Sequence, residues 1–146
     1  NYKHAKSSGF SENIARTVAL KPHLNIGVFS LEIDAPHWKI WQKNLKTALN
    51  SGKIWGSEQI AMNITIYHEG LDVEILPAYC NWTLIDALKF DKERNTLVEP
   101  YLPNDEIGIV HFAGKNNDQI RKNKNFISKI KTTDDSLIEM KLRFNN

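Results

Sequence analysis

An α/β fold, with a mixed sheet flanked by helices, is predicted by three features of this chain. Residues 25–33 and 107–112 are short apolar runs of the kind found in buried strands. Residues 36–50 repeat apolar positions at three- and four-residue spacing, the pattern of an amphipathic helix. Near the end, Ile138, Met140, Leu142 and Phe144 alternate with Glu139, Lys141 and Arg143, which predicts a strand with one wet face.

Taken in order, residues 1–23 are a polar, mixed leading segment, with a helix from Glu12 to Val18 capped by Ser11. The 25–33 strand follows, with Ile26 and Val28 adding burial on its second face. Asp34 and Pro36 open the 36–50 helix, whose stripe of Trp38, Trp41, Leu45, Ala48 and Leu49 reads as core. Ser57 is the expected cap of a second helix, with Glu58 in its first turn, where a carboxylate suits the helix dipole. Ile60, Ala61 and Ile64 are its expected buried face. A short strand over 71–76 should end at Pro77. Helical turns are expected within 83–89, a polar turn at 91–95 and an extended stretch at 98–103. The 107–112 strand comes next, then a loop over 113–118 and a basic helix over 119–131 with Ile120, Phe126, Ile127 and Ile130 on its apolar side. The alternating segment 138–144 should lie at a sheet edge or in a hairpin.

A length of 146 residues suggests a single domain over 1–146, with 1–23 as leader, 24–115 as central body and 116–146 as a basic extension. Hydrophobic residues make up 41% and charged residues 25%, the balance of a soluble globular chain. A net charge of +2 calls for no polyanionic partner, and nucleic acid is not expected. Six cations lie from Lys115 to Lys131 against the single Asp118; such a run is usually a solvated face, with contact to an anionic membrane or to nucleic acid as the alternatives. One cysteine, Cys80, excludes an internal disulfide framework and suits a reducing, cytoplasmic setting. The first residues carry neither an initiator Met nor an apolar leader, so the expectation is a start inside a longer polypeptide.

The chemistry-bearing residues fall into three groups. His111 ends a buried run and is followed by Gly114 and Lys115: an imidazole suited to a divalent ion, a glycine that lets backbone approach an anion, and a point charge for phosphate. The plain alternative is a hydrogen-bonded structural histidine. Glu58 and Gln59 open a helix and can together accept from and donate to sugar hydroxyls, although Glu in a first turn is ordinary helix chemistry. Asn25 and Gly27 can bind a ligand or merely shape a strand entry. Trp55 and Trp82 can stack on a sugar or pack in the core. His4, His23, His37 and His68 show no metal-ligand spacing, and no phosphate-binding glycine loop or nucleophile elbow is present.

The order of these pieces resembles a known family. Asn25-Ile26-Gly27-Val28-Phe29 resembles the strand after the metal motif in GT-A glycosyltransferases of the family-eight type. Glu58-Gln59-Ile60-Ala61-Met62-Asn63 is similar to that family's Asp-Gln-Asp-x-x-Asn element. Leu76-Pro77 with Cys80-Asn81-Trp82 looks like its Leu-Pro…Trp-Asn segment, and His111 to Gly114 like its His-x-x-Gly signature. The likeness covers residues 24–115, and Val98 to Pro103 resembles bacterial glycosyltransferase sequences.

The resemblance implies the C-terminal half of a transferase that moves a hexose from a nucleotide-diphosphate sugar to a carbohydrate or other hydroxyl acceptor, with retention. By position, His111 would bind the divalent cation (Mn or Mg) and Gly114 would lie against the donor diphosphate. Glu58 and Gln59 would sit nearest the anomeric carbon, while Asn25 and Gly27 would contact sugar or acceptor. These groups are expected to converge on one cleft. Three departures stand out: lysine follows Gly114 directly as Lys115 rather than three residues on, Ile60 replaces an acidic residue, and Asp-x-Asp is absent. The missing metal carboxylates are therefore expected upstream of Asn1, in an N-terminal half that would be this chain's partner. The alternative from a different class is a non-catalytic transferase-like module that binds sugar or protein.

Overall fold

Ser11 opens a helix where its position predicts, its hydroxyl accepting from the Ile14 amide at 3.4 Å. The computed structural model describes residues 1–51, 54–114 and 117–143. Five helices and a four-stranded mixed sheet are present among them, and their contacts gather into two compact units, Asn1–Ile75 and Leu76–Asn146.

The first unit is helical: α1 (Tyr2–Ser7), α2 (Glu12–Ala19), α3 (Pro36–Asn50) and α4 (Ser57–Tyr67). Glu12 ties the first two together, accepting from the Tyr2 hydroxyl at 2.6 Å and from Arg16 at 3.0 Å. Pro36 sits in the first turn of α3, where its missing N–H breaks no hydrogen bond. The main packing of α3 is against α4. Between them the buried Asn44 donates to Thr65 Oγ1 at 3.0 Å, and that hydroxyl donates to the Ala61 carbonyl at 2.8 Å. Ala5, Phe10, Ala15, Val18, Ala48, Ile60 and Ile64 form the core.

Several expectations need correction here. Ala48 is the fully buried member of the α3 stripe; Trp38 and Leu49 are exposed. Trp38 and Trp41 instead form a rim cluster with Phe29, whose ring lies edge-on to Trp41 at 5.7 Å. Helix α4 is capped at Gly56 rather than Ser57, with φ +74, a conformation that glycine adopts without the Cβ clash. Residues 25–33 form turns and irregular chain, not a strand, and Ile33 is almost wholly exposed. A strand needs a neighbouring strand, and every described ladder runs between residues 89 and 140. Residues 71–76 are likewise not a strand.

The second unit carries the sheet. Strands β1 (Lys89–Asp91) and β2 (Thr96–Val98) form an antiparallel hairpin, as do β3 (Ser128–Thr132) and β4 (Leu137–Met140). β1 and β3 pair in parallel, giving the order β2-β1-β3-β4 and placing β4 at an edge, as its alternation predicts. The polar turn at 91–95 is closed by Asp91, which accepts from the Glu93 and Arg94 amides. The basic helix expected over 119–131 is only the short α5 (Asp118–Lys122); Ser128, Ile130 and Thr132 face inward from β3 while Lys129 and Lys131 face out. Trp82, Ile85, Leu88, Ile107, Ile120 and Ile130 make the core. Residues 107–112 are irregular chain, not a strand. Single bridges join Val98 to Glu106 and Trp82 to Val110, because the chain before Trp82 coils into a 3-10 turn and offers no longer ladder. Among the described residues no helix is long and apolar enough to cross a membrane.

Candidate functional site

In the first unit the candidate residues gather at the start of α4. Asn63, fully buried one turn after Gln59, accepts from the Leu24 amide at 2.9 Å. Its side-chain amide donates to the Leu24 carbonyl at 3.0 Å and to the Gln59 carbonyl at 2.8 Å. This one side chain acts as a short mock strand that fixes residues 23–25 against the helix. His23 Nε2 thereby meets Gln59 Nε2 at 2.6 Å, while His23 Nδ1 pairs with Asn1 Oδ1. An N–H at Nδ1 would face the Asn1 oxygen and leave Nε2 to accept from the Gln59 amide. Desolvation holds His23 below its ordinary pKa, in keeping with that state.

Glu58 projects into solvent, and its carbonyl accepts from Trp41 Nε1 at 3.0 Å. Asn25 Oδ1 accepts from the Gly27 amide at 2.8 Å, a local turn that leaves the Asn25 amide hydrogens outward on an exposed residue. Trp55 is 85% exposed just before the helix.

In the second unit, the His111 amide donates to the Trp82 carbonyl at 2.8 Å, and the Trp82 amide donates to the Ile109 carbonyl at 2.9 Å. These bonds bring His111 beside Asn81, where His111 Nδ1 lies 3.0 Å from Asn81 Oδ1. An N–H at Nδ1 facing that oxygen leaves Nε2 with the lone pair, the arrangement by which proteins orient a metal-binding imidazole. Gly114 has φ +78 and is exposed, and among the described residues a Cβ there would meet nothing within 4 Å. Lys115 lies outside the described residues. Trp82 is a core residue whose Nε1 donates to the Leu84 carbonyl at 2.8 Å, so it is no sugar platform.

Among the described residues no group of three or more His, Cys, Asp or Glu is placed to hold a metal. His111 therefore fits the role of one ligand, not of a whole site. The basic stretch is partly self-neutralised: Lys122 and Arg121 both bond to Asp118 and hold its carboxyl below the usual range.

Glu58, Gln59, Asn25 and Gly27 thus belong to the first unit, and His111 and Gly114 to the second. Composition and spacing did not reveal His23, Asn63 and Asn81 as supporting residues. Of these, only the four-residue spacing of Gln59 and Asn63, which puts them on one face of α4, was visible in the sequence. Comparison of the chain with family models, curated proteins and solved structures finds no match.

Proposed function

We propose that this chain is part of a glycosyltransferase that moves a hexose from a nucleotide-diphosphate sugar to a hydroxyl acceptor. The observation that carries the reading is the Asn81–His111 pair, which presents a basic imidazole nitrogen beside the exposed Gly114 in chain order. His111 Nε2 would supply one ligand to a divalent cation. Bound there, such a cation would neutralise charge on a leaving diphosphate. Gly114, which lacks a side chain of its own, suits close approach of a phosphate oxygen.

In transfer, the bond from the anomeric carbon to the diphosphate oxygen breaks and its electron pair leaves with the diphosphate. The acceptor oxygen bonds the anomeric carbon, and its proton passes to a phosphate oxygen of the leaving group. Positive charge builds on the sugar ring meanwhile.

The test is sugar transfer from a radiolabelled uridine-diphosphate hexose with Mn2+, with the chain in its native reading frame. His111→Ala should lower turnover about a hundredfold or more, and Asn81→Ala should weaken metal affinity about ten- to a hundredfold through loss of imidazole orientation. Turnover indifferent to His111→Ala would reject the metal role. Sugar binding without transfer would favour the non-catalytic module.

A further inference from the structure

The first unit carries three aromatic rings gathered at its surface that the proposed transfer chemistry does not use. The ring centroids of Phe29, Trp38 and Trp41 lie 5.7 to 6.1 Å apart, and no two rings stack face to face. Trp38 Nε1 donates to the Glu32 carbonyl at 2.8 Å, and Trp41 Nε1 donates to the Glu58 carbonyl at 3.0 Å. Both indole N–H groups are therefore committed to backbone, and what the cluster offers outward is ring carbon alone. Phe29 is 44% exposed and Trp38 38%, although rings of this size usually bury more of their surface. The centroids form a nearly equilateral triangle. A point about 3.5 Å outside it lies about 5 Å from all three, within the roughly 6 Å reach of a cation–π contact. Glu32, Asp34 and Glu58 are exposed around the cluster, and among the described residues no lysine or arginine pairs with their carboxylates. Lys39 is the one lysine or arginine from residue 28 to residue 42, and neighbouring helix positions such as 38 and 39 do not face each other.

We propose that this aromatic cluster binds a trimethylammonium cation of the choline type. Three properties select that ligand class. The rings present negative faces, which attract a cation by their quadrupoles. They present no free donor or acceptor, so the guest must need none. A quaternary ammonium has no N–H to satisfy, whereas a primary ammonium would exchange water for ring carbon. The unpaired carboxylates of Glu32, Asp34 and Glu58 add attraction for net positive charge and oppose a guest that carries its own phosphate or carboxylate. The same rings fix the segment around Phe29, since the Trp38 indole holds the Glu32 carbonyl and so shapes the turn between Phe29 and α3.

The experiment follows the indole N–H resonances of the four tryptophans in the full chain as choline is added. Choline should shift those of Trp38 and Trp41 and leave those of Trp55 and Trp82 in place. Dimethylbutanol, the uncharged carbon isostere of choline, should bind about tenfold more weakly or less. Ethanolamine and phosphocholine should also bind more weakly than choline. Trimethyl-lysine amide separates a protein side chain from a free solute as the source of the group: the tighter of the two ligands names it, and either supports the assignment. Phe29→Leu keeps apolar bulk but removes one ring, and should weaken choline about tenfold. Glu32→Gln leaves the rings intact and should lower both the affinity and its dependence on salt. Equal binding of dimethylbutanol would make the cluster a plain apolar patch and overturn the assignment. Silence of Trp38 and Trp41 toward choline, or choline binding unaltered by both variants, would overturn it too. The cluster does not include His111, so a failure of metal-assisted transfer leaves this result standing, and the reverse also holds.

Discussion

At the scale of single residues, Asn63 carries the largest structural share of the candidate site. It has no exposed surface, and two of its three hydrogen bonds join α4 to Leu24, 39 residues earlier in the chain, the third going to Gln59 in the same helix. Asn63→Ala strands the Leu24 amide and carbonyl together, so we expect a loss of about 2–3 kcal/mol in urea unfolding. It should also release His23 from Gln59, visible as a rise in the His23 pKa toward the ordinary imidazole value as desolvation is relieved. A stable Asn63→Ala protein with His23 unmoved would show that the segment is held by other contacts. The same residue marks the limit of reading a site from sequence. Gln59 and its partner His23 lie 36 positions apart, and His111 and Asn81 lie 30 apart. Spacing exposes partners within one helix face, not pairs brought together by the fold.

At the scale of elements, the turn between β3 and β4 depends on Asp134. Thr132 Oγ1, Lys92 Nζ at 2.9 Å, and the Ser136 hydroxyl at 2.8 Å all donate to its carboxylate. These bonds, that of Thr132 foremost, hold the carboxyl well below the usual range. The folded form is then more acidic than the free side chain, so its contribution is complete above about pH 4 and drains away as pH falls further. Melting curves of the parent chain and Asp134→Asn should therefore differ most near neutrality and approach each other below about pH 3. A constant gap across that range would assign the effect to packing. Elements were legible where local chemistry decides them: Ser11 and Pro36 place helix starts because caps and prolines act over a few residues. Strands were not. The 25–33 run has strand composition but no ladder, while β3 was hidden because Phe126, Ile127 and Ile130 are spaced as on a helix. Its true pattern, inward Ser128, Ile130 and Thr132 with outward lysines, is polar enough to disguise burial.

At the scale of the whole molecule, each unit has its own apolar cluster. Residues 1–75 expressed alone should give a helical far-ultraviolet spectrum, and residues 76–146 a sheet-rich one; a disordered spectrum from either would show that its core is insufficient by itself. The parallel pairing of β1 with β3 has a kinetic consequence. Both hairpins are local and can zip within microseconds, but Lys89 meets Lys131 only after a loop on the order of forty residues has closed. Closure entropy grows only with the logarithm of loop length, about 0.6 kcal/mol per doubling. The joining of two preformed hairpins is thus the slow event in building this sheet, and the chain between them can lengthen at little cost to its final stability.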